Sequence, residues 1–139
     1  MHKTRLAGLK NARSVDGGAI VSRMSLTLTT RQGEGCVIVE ASGRLAAGES
    51  STQLRDLVKR LTAEGARSFV FNLAGVSYID SSGLGLLLSI YATVRAGGGD
   101  VKLTNIGDRV KDLLKMTKLS EVFQIFEDEN LALAAVKQQ

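Results

Sequence analysis

"SFVFNLAGVSYIDSSGLGLLLSIYATVRAGGG" (residues 68–99) changes period within itself. The opening "SFVFNL" is almost continuously apolar, the pattern of a strand buried on both faces in the middle of a sheet. From about Ser82 to Ala96 the run is too long for a strand and closes on three glycines. That predicts a helix, with Leu84, Leu87, Leu88 and Tyr91 as its apolar stripe. Between the two stands the polar junction Asp80-Ser81-Ser82-Gly83-Leu84-Gly85. A strand that feeds a helix through a short junction is the crossover unit that parallel strands require.

Upstream, "SLTLTT" (25–30) and the β-branched "CVIVEAS" (36–42) flank "RQGEG", whose glycines suit a turn, and together they read as a β-hairpin. In residues 48–65, Leu54, Leu57, Val58 and Leu61 recur at helical spacing, with Ser50, Ser51 or Thr52 available to cap the start and Gly65 to end it. Downstream, "DVKLTNI" (100–106) is a strand. "GDRVKDLLKMTKL" (107–119) is a helix on Val110, Leu113, Leu114 and Thr117, and "EVFQIF" (121–126) alternates like a strand. "EDENLALAAVKQ" (127–138) is a last helix with its acids in the first turn, where the helix dipole favours them. The expected fold is α/β: a mixed sheet of about five strands with four helices, in the order β-β-α-β-α-β-α-β-α.

The chain has 139 residues, 44% hydrophobic and 23% charged, enough for one domain with one core. Lys3, Arg5, Lys10, Arg13 and Arg23 against Asp16 account for the whole net charge of +4, so the body is neutral. The basic balance therefore describes residues 1–23, read as either a disordered basic arm or an extension foreign to the natural product, with Met24 the sensible start of a domain over 24–139. The body offers no basic stripe with paired aromatics, which argues against direct nucleic-acid binding. No stretch approaches the roughly 18 apolar residues of a membrane span. Cys36, the single cysteine, falls in a strand-like run as a core residue, and a reducing cytoplasm is the expected compartment.

Chemistry at the Asp80-Ser81-Ser82-Gly83 junction is narrowed by what is missing. The only histidine is His2, so a serine nucleophile has no base in the body. A Gly-x-Ser-x-Gly elbow fails at both serines, since Ile79 or Leu84 stands where a glycine is needed. No lysine lies between Lys59 and Lys102 to complete a phosphate loop, and Gly83-Leu84-Gly85 lacks the third glycine of a dinucleotide site, Leu88 standing there. One histidine and one cysteine far apart leave only carboxylates as metal ligands. No cofactor and no metal are expected. Local physics leaves a well-capped helix start, with Ser81 or Ser82 as the cap.

"VSYIDSSGLGLLL" after a buried strand, then "VKLTNIGDRVKDLLKMTKLSEVFQIFEDENLAL", resembles the STAS domain of bacterial anti-sigma factor antagonists, over roughly Ser25 to Val136. The resemblance implies a non-enzymatic, phospho-switched binding module. Ser81, directly after the motif aspartate, is the implied phosphate acceptor, and Asp80, Ser82, Gly83 and Leu84 frame it. The unphosphorylated form would bind a serine kinase that is also the anti-sigma factor, freeing a sigma factor, and a PP2C-type phosphatase would restore it. Members commonly carry an acid after the Gly-x-Leu that ends the second strand. Here the run is Gly43-Arg44-Leu45-Ala46-Ala47-Gly48-Glu49, with Ala46 in that place and Glu49 the nearest acid. Arg44, Ala46 and Glu49 are thus expected on the partner face, and the departure bears on which partner is bound. The alternative within the same fold is an accessory subunit of an ABC-type membrane transport complex; a stand-alone Ser81 hydrolase is a third class, disfavoured by the missing base.

Overall fold

The computed structural model describes residues 26–137, so the expectations for residues 1–23 and Met24 lie outside the described residues. The elements are β1 (Leu26–Gly33), β2 (Cys36–Leu45), α1 (Glu49–Ala63), β3 (Phe69–Ile79), α2 (Ser81–Ala96), β4 (Val101–Thr104), α3 (Asp108–Met116), a 3-10 turn (Leu119–Glu121), β5 (Gln124–Phe126) and α4 (Glu129–Lys137). The strands form one sheet in sequence order. β1 and β2 are antiparallel, and every later neighbour is parallel. This is the expected α/β architecture and element order.

The alternation along the strands sorts the side chains onto two faces. Val37, Val39, Ala41, Phe69, Phe71, Leu73, Val101 and Leu103 join Leu54, Val58 and Leu61 of α1, Leu84, Leu86, Leu87, Ile90 and Val94 of α2, and Val110 and Leu114 of α3 in the main core. On the other face Cys36, Ile38 and Val70 meet Ala132 and Val136 of α4 in a smaller one. The central strand is β3, whose Phe69, Val70 and Phe71 have no exposed surface, as the continuous apolar run requires. Cys36 sits in the smaller core, and burial pushes its thiol up to about 11, so it stays protonated and unreactive at neutral pH.

Three expectations are corrected. The hairpin turn is only Glu34-Gly35, because Gly33 pairs directly with Cys36. Arg31 and Gln32, expected in the turn, extend the strand. β3 runs on from Leu73 to Ile79. That half was illegible because β4 pairs only as far as Asn72, leaving Ala74, Gly75, Ser77 and Tyr78 exposed and free of any need to be apolar. β5 is only Gln124–Phe126, since Leu119–Glu121 closes into a 3-10 turn.

The start of α4 is fixed twice. Asp128 accepts the Leu131 N–H at 3.0 Å, as an N-cap does. The Glu129 carboxylate takes Arg31 Nη2 at 2.7 Å and Asn72 Nδ2 at 2.7 Å, tying the helix to β1 and β3. The Arg31 guanidinium beside it, helped by Asn72, holds the Glu129 carboxyl below its ordinary value of 4.5, against the opposing effect of partial burial. A carboxyl depressed in the folded state adds stability above its unfolded value and loses it as pH falls through the folded one. The stability difference between wild type and Glu129→Gln is therefore expected to be full at neutral pH and to shrink steadily below about pH 4.5. Urea midpoints measured across that range check it; a difference that stays constant contradicts it.

Candidate functional site

β2 and β3 end side by side, with Leu45 paired to Ile79, and each turns into a helix at the same, C-terminal end of the strands. Leu45 and Ile79 face the main core. Their neighbours Arg44 and Tyr78 are exposed, and the Arg44 guanidinium lies 4.1 Å from the centre of the Tyr78 ring. The pairing is irregular here. Gly43 opposes Val76 but Arg44 opposes Tyr78, so Ser77 is bulged out, and its Oγ donates to the Gly43 carbonyl at 3.3 Å. Gly43 has φ 107°, a conformation that L side chains rarely adopt. Bulges of this kind re-aim the side chains that follow.

The cap of α2 is Asp80, one residue before the serines expected to serve. Its backbone is extended, and its Oδ1 accepts the Gly83 N–H at 2.9 Å. The Asp80 carbonyl takes the Leu84 N–H at 3.0 Å as the first helical bond. Three adjacent residues of good capping type cannot be ranked by propensity; the strand running on to Ile79 decides, because the next residue must make the turn. Ser81 and Ser82 are then the first two helical residues, both exposed. Their amides are among the first-turn donors that helix geometry leaves without an intrahelical acceptor.

Removing the Asp80 cap while keeping the backbone, by Asp80→Ala, is expected to cost about 1 kcal/mol, with Asp80→Asn close to wild type. Chemical denaturation of both variants measures it. Equal losses in the two would mean that the charge, not the hydrogen bond, is what counts.

Gly83 is buried because the helix start is pressed against the end of β2. A Cβ at Gly83 would lie 2.3 Å from the Leu45 carbonyl oxygen and 2.9 Å from Ile79 Cγ1. Leu84, expected in the frame of the site, is instead a buried core residue at 5% exposure. Along α2 the buried residues with side chains are Leu84, Leu86, Leu87, Ile90 and Val94, and Tyr91 packs half-buried against the same core, so Leu86 and Ile90 join the expected stripe and Leu88 leaves it. Leu88 is 37% exposed.

The other wall of the site is the loop from β2 to α1. Ser50 Oγ both accepts the Ala46 N–H at 3.0 Å and donates to the Ala46 carbonyl at 2.8 Å, and Ser51 Oγ donates to the same carbonyl at 3.0 Å. The hydroxyls expected to cap α1 therefore strap its approach loop instead, and the N-cap position is held by Gly48. Ala46 is half-buried beneath this strap. The side chain of Glu49 lies outside the described set. Asp80, Ser81, Ser82, Gly83, Arg44 and Ala46 thus lie together at the C-terminal ends of β2 and β3. Tyr78, partner of Arg44, is the residue to which sequence reading gave no role; its pairing across the bulge could not be counted without the register.

As chemistry the arrangement is limited. Ser81 is exposed, the adjacent Asp80 accepts the Gly83 amide through Oδ1, and the described residues contain no histidine. Among them no histidine therefore stands by to act as a base for Ser81, and its exposure leaves it accessible to another protein. Among the described residues no helix is long and apolar enough to cross a membrane.

The STAS domain model matches residues 27–132. An anti-sigma-B factor antagonist of Bacillus subtilis is 30% identical over 102 residues, 73% of this chain and 92% of that protein. An anti-sigma F factor antagonist of Paenibacillus polymyxa is 26% identical over 114 residues, 82% of this chain and 97% of the relative. The crystal structure of an anti-sigma factor antagonist from Mycobacterium paratuberculosis superposes with a TM-score of 0.70 at 22% identity, covering 84% of this chain and 99% of that one.

Proposed function

The chain belongs to the STAS domain family, and we propose that it works there as an anti-sigma factor antagonist, a cytoplasmic binding module switched by phosphorylation of Ser81. In its unphosphorylated form it binds a serine kinase that doubles as the anti-sigma factor and so releases a sigma factor; a PP2C-type phosphatase reverses the modification. It does no chemistry of its own. The observation that carries this reading is the exposed Ser81 at the first position of α2, directly after the Asp80 cap. The names of the relatives support the same role.

The switch has a simple physical form. A phosphate on Ser81 meets the free first-turn amides and the positive end of the helix dipole, so the domain accepts it without unfolding. It also adds about −1.5 to −2 charges at pH 7 next to Asp80. A partner surface shaped around a neutral hydroxyl then faces repulsion and an unpaired charge. Arg44, Ala46 and Glu49 complete the partner face, with Ala46 in a place where members of the family commonly carry an acid.

Affinity capture from the source cells with the unphosphorylated chain as bait tests the role. A serine kinase is expected to be retained and to be released once ATP is supplied. Recovery of ABC-transporter components in its place would overturn the sigma-factor reading in favour of an accessory transport subunit.

A further inference from the structure

We propose that α4 is a lifting cover. It leaves the rear face of the sheet and docks again as a unit while the rest of the domain, the Asp80-Ser81 turn included, stays folded. The contact of Glu129 with Arg31 and Asn72 sets how often it lifts. The motion does not depend on the role proposed for Ser81.

α4 cannot stand alone. It has 9 residues, Glu129–Lys137, and an isolated helix needs roughly 12–15 to be even marginal in water. It is therefore helical only while docked. α1, α2 and α3 each link two paired strands and are tied at both ends, whereas α4 follows the last strand of the sheet. What docks it is a small core: Ala132 and Val136, with Leu133 half-buried, against Cys36, Ile38 and Val70. That cluster shares no residue with the main core, which lies on the opposite face with α1, α2 and α3. Lifting α4 thus breaks none of the main-core packing.

The rear face is also a poor apolar seat. Alternation along β4 sends Val101 and Leu103 into the main core and turns Lys102 and Thr104 to the rear, both buried. Thr104 pairs in register with Asn72, whose Nδ2 donates to Glu129 at the start of α4. The Thr104 Oγ1 is buried and has no hydrogen-bond partner among the described residues. A hydroxyl in that state favours water, so the docked arrangement carries a cost that lifting relieves. The tie of Glu129 to Arg31 of β1 and Asn72 of β3 offsets it. Elements that bury little apolar surface are the ones that open below the global transition. The contacts that build the Ser81 turn, Asp80 Oδ1 with the Gly83 N–H and Gly83 against Leu45, do not involve α4. Cover and turn are separate units.

Native-state hydrogen exchange of the full chain, followed by NMR at low urea concentrations, tests this. Relative to their intrinsic rates, the amides of residues 133–136 in α4 are expected to exchange at least about tenfold faster than those of Phe69 and Phe71 in β3. Their exchange should depend little on urea, because the opening exposes little surface. Val58→Ala truncates a main-core side chain of α1 and should speed the β3 amides about tenfold or more. It should leave the α4 amides unchanged, since the packing it weakens is the same in the docked and lifted states. Glu129→Gln should speed the α4 amides about threefold. Equal acceleration of α4 and β3 by Val58→Ala would mean that α4 opens only with the whole domain, and would overturn the cover. α4 rates unmoved by Glu129→Gln would overturn the part given to its tie.

Discussion

Ser81→Asp is expected to lose its kinase partner while the domain melts no lower than wild type. The substitution puts a fixed charge where the proposed partner would meet a hydroxyl. An unpaired charge in an interface costs about 2–5 kcal/mol, so the affinity should fall by on the order of thirtyfold or more. The fold has no reason to suffer. Ser81 is exposed and opens α2, where an acid meets the positive end of the dipole and adds about 0.3–1 kcal/mol. Ser81→Ala should bind with wild-type affinity and fail to be released when ATP is added. Titration calorimetry with the purified partner and thermal melts of the two variants separate binding from folding. Wild-type affinity in Ser81→Asp would remove the switch from this position.

The second large effect comes from one methyl group placed at two neighbouring glycines. Gly83→Ala drives a Cβ to 2.3 Å from the Leu45 carbonyl oxygen, a backbone atom that cannot swing aside. Either α2 lifts from the end of β2 or the strand end moves. Overpacking of this sort costs about 1–3 kcal/mol and more where backbone must shift, against about 1 kcal/mol gained from alanine's better helix propensity. The net is a clear loss. Gly85→Ala, one position beyond Leu84, adds its Cβ where nothing lies within 4 Å and should gain most of that propensity term. Urea midpoints of the two variants should therefore shift in opposite directions. A gain in both would mean that the junction is loose, and that the site is not held by the β2 end.

Much of this fold was legible in the period of its apolar residues. "SFVFNL" announced the central strand, and the amphipathic run on Leu54, Val58 and Leu61 announced α1, because burial on two faces or one leaves a direct mark on composition. What stayed hidden were features set by neighbours. The outer half of β3 is polar because β4 stops at Asn72. In "LGLLLSI" almost every position is apolar, so the pattern could not tell Leu86 from Leu88. The helix start at Ser81 fixes the phase, and that start depends on where β3 ends.

The site divides in the same way. That Asp80-Ser81-Ser82 caps a helix follows from side-chain type, but which of the three does so follows from the strand. Ser50 and Ser51 look like caps for α1 and turn out to bind Ala46, because the helix starts at Glu49, ahead of them, and their hydroxyls reach back to the loop before it. The proposed role of Ser81 as phosphate acceptor had no local signature at all. An exposed serine after a capping aspartate is ordinary, and the resemblance to a family singled it out.

Phosphopeptide mass spectrometry on the protein isolated from its own cells, or after incubation with the kinase it captures, tests the central reading most directly. A single phosphate on Ser81, absent from Ser82 and removed by a PP2C-type phosphatase, is the expected result. A phosphate found elsewhere, with Ser81 never modified, would contradict it.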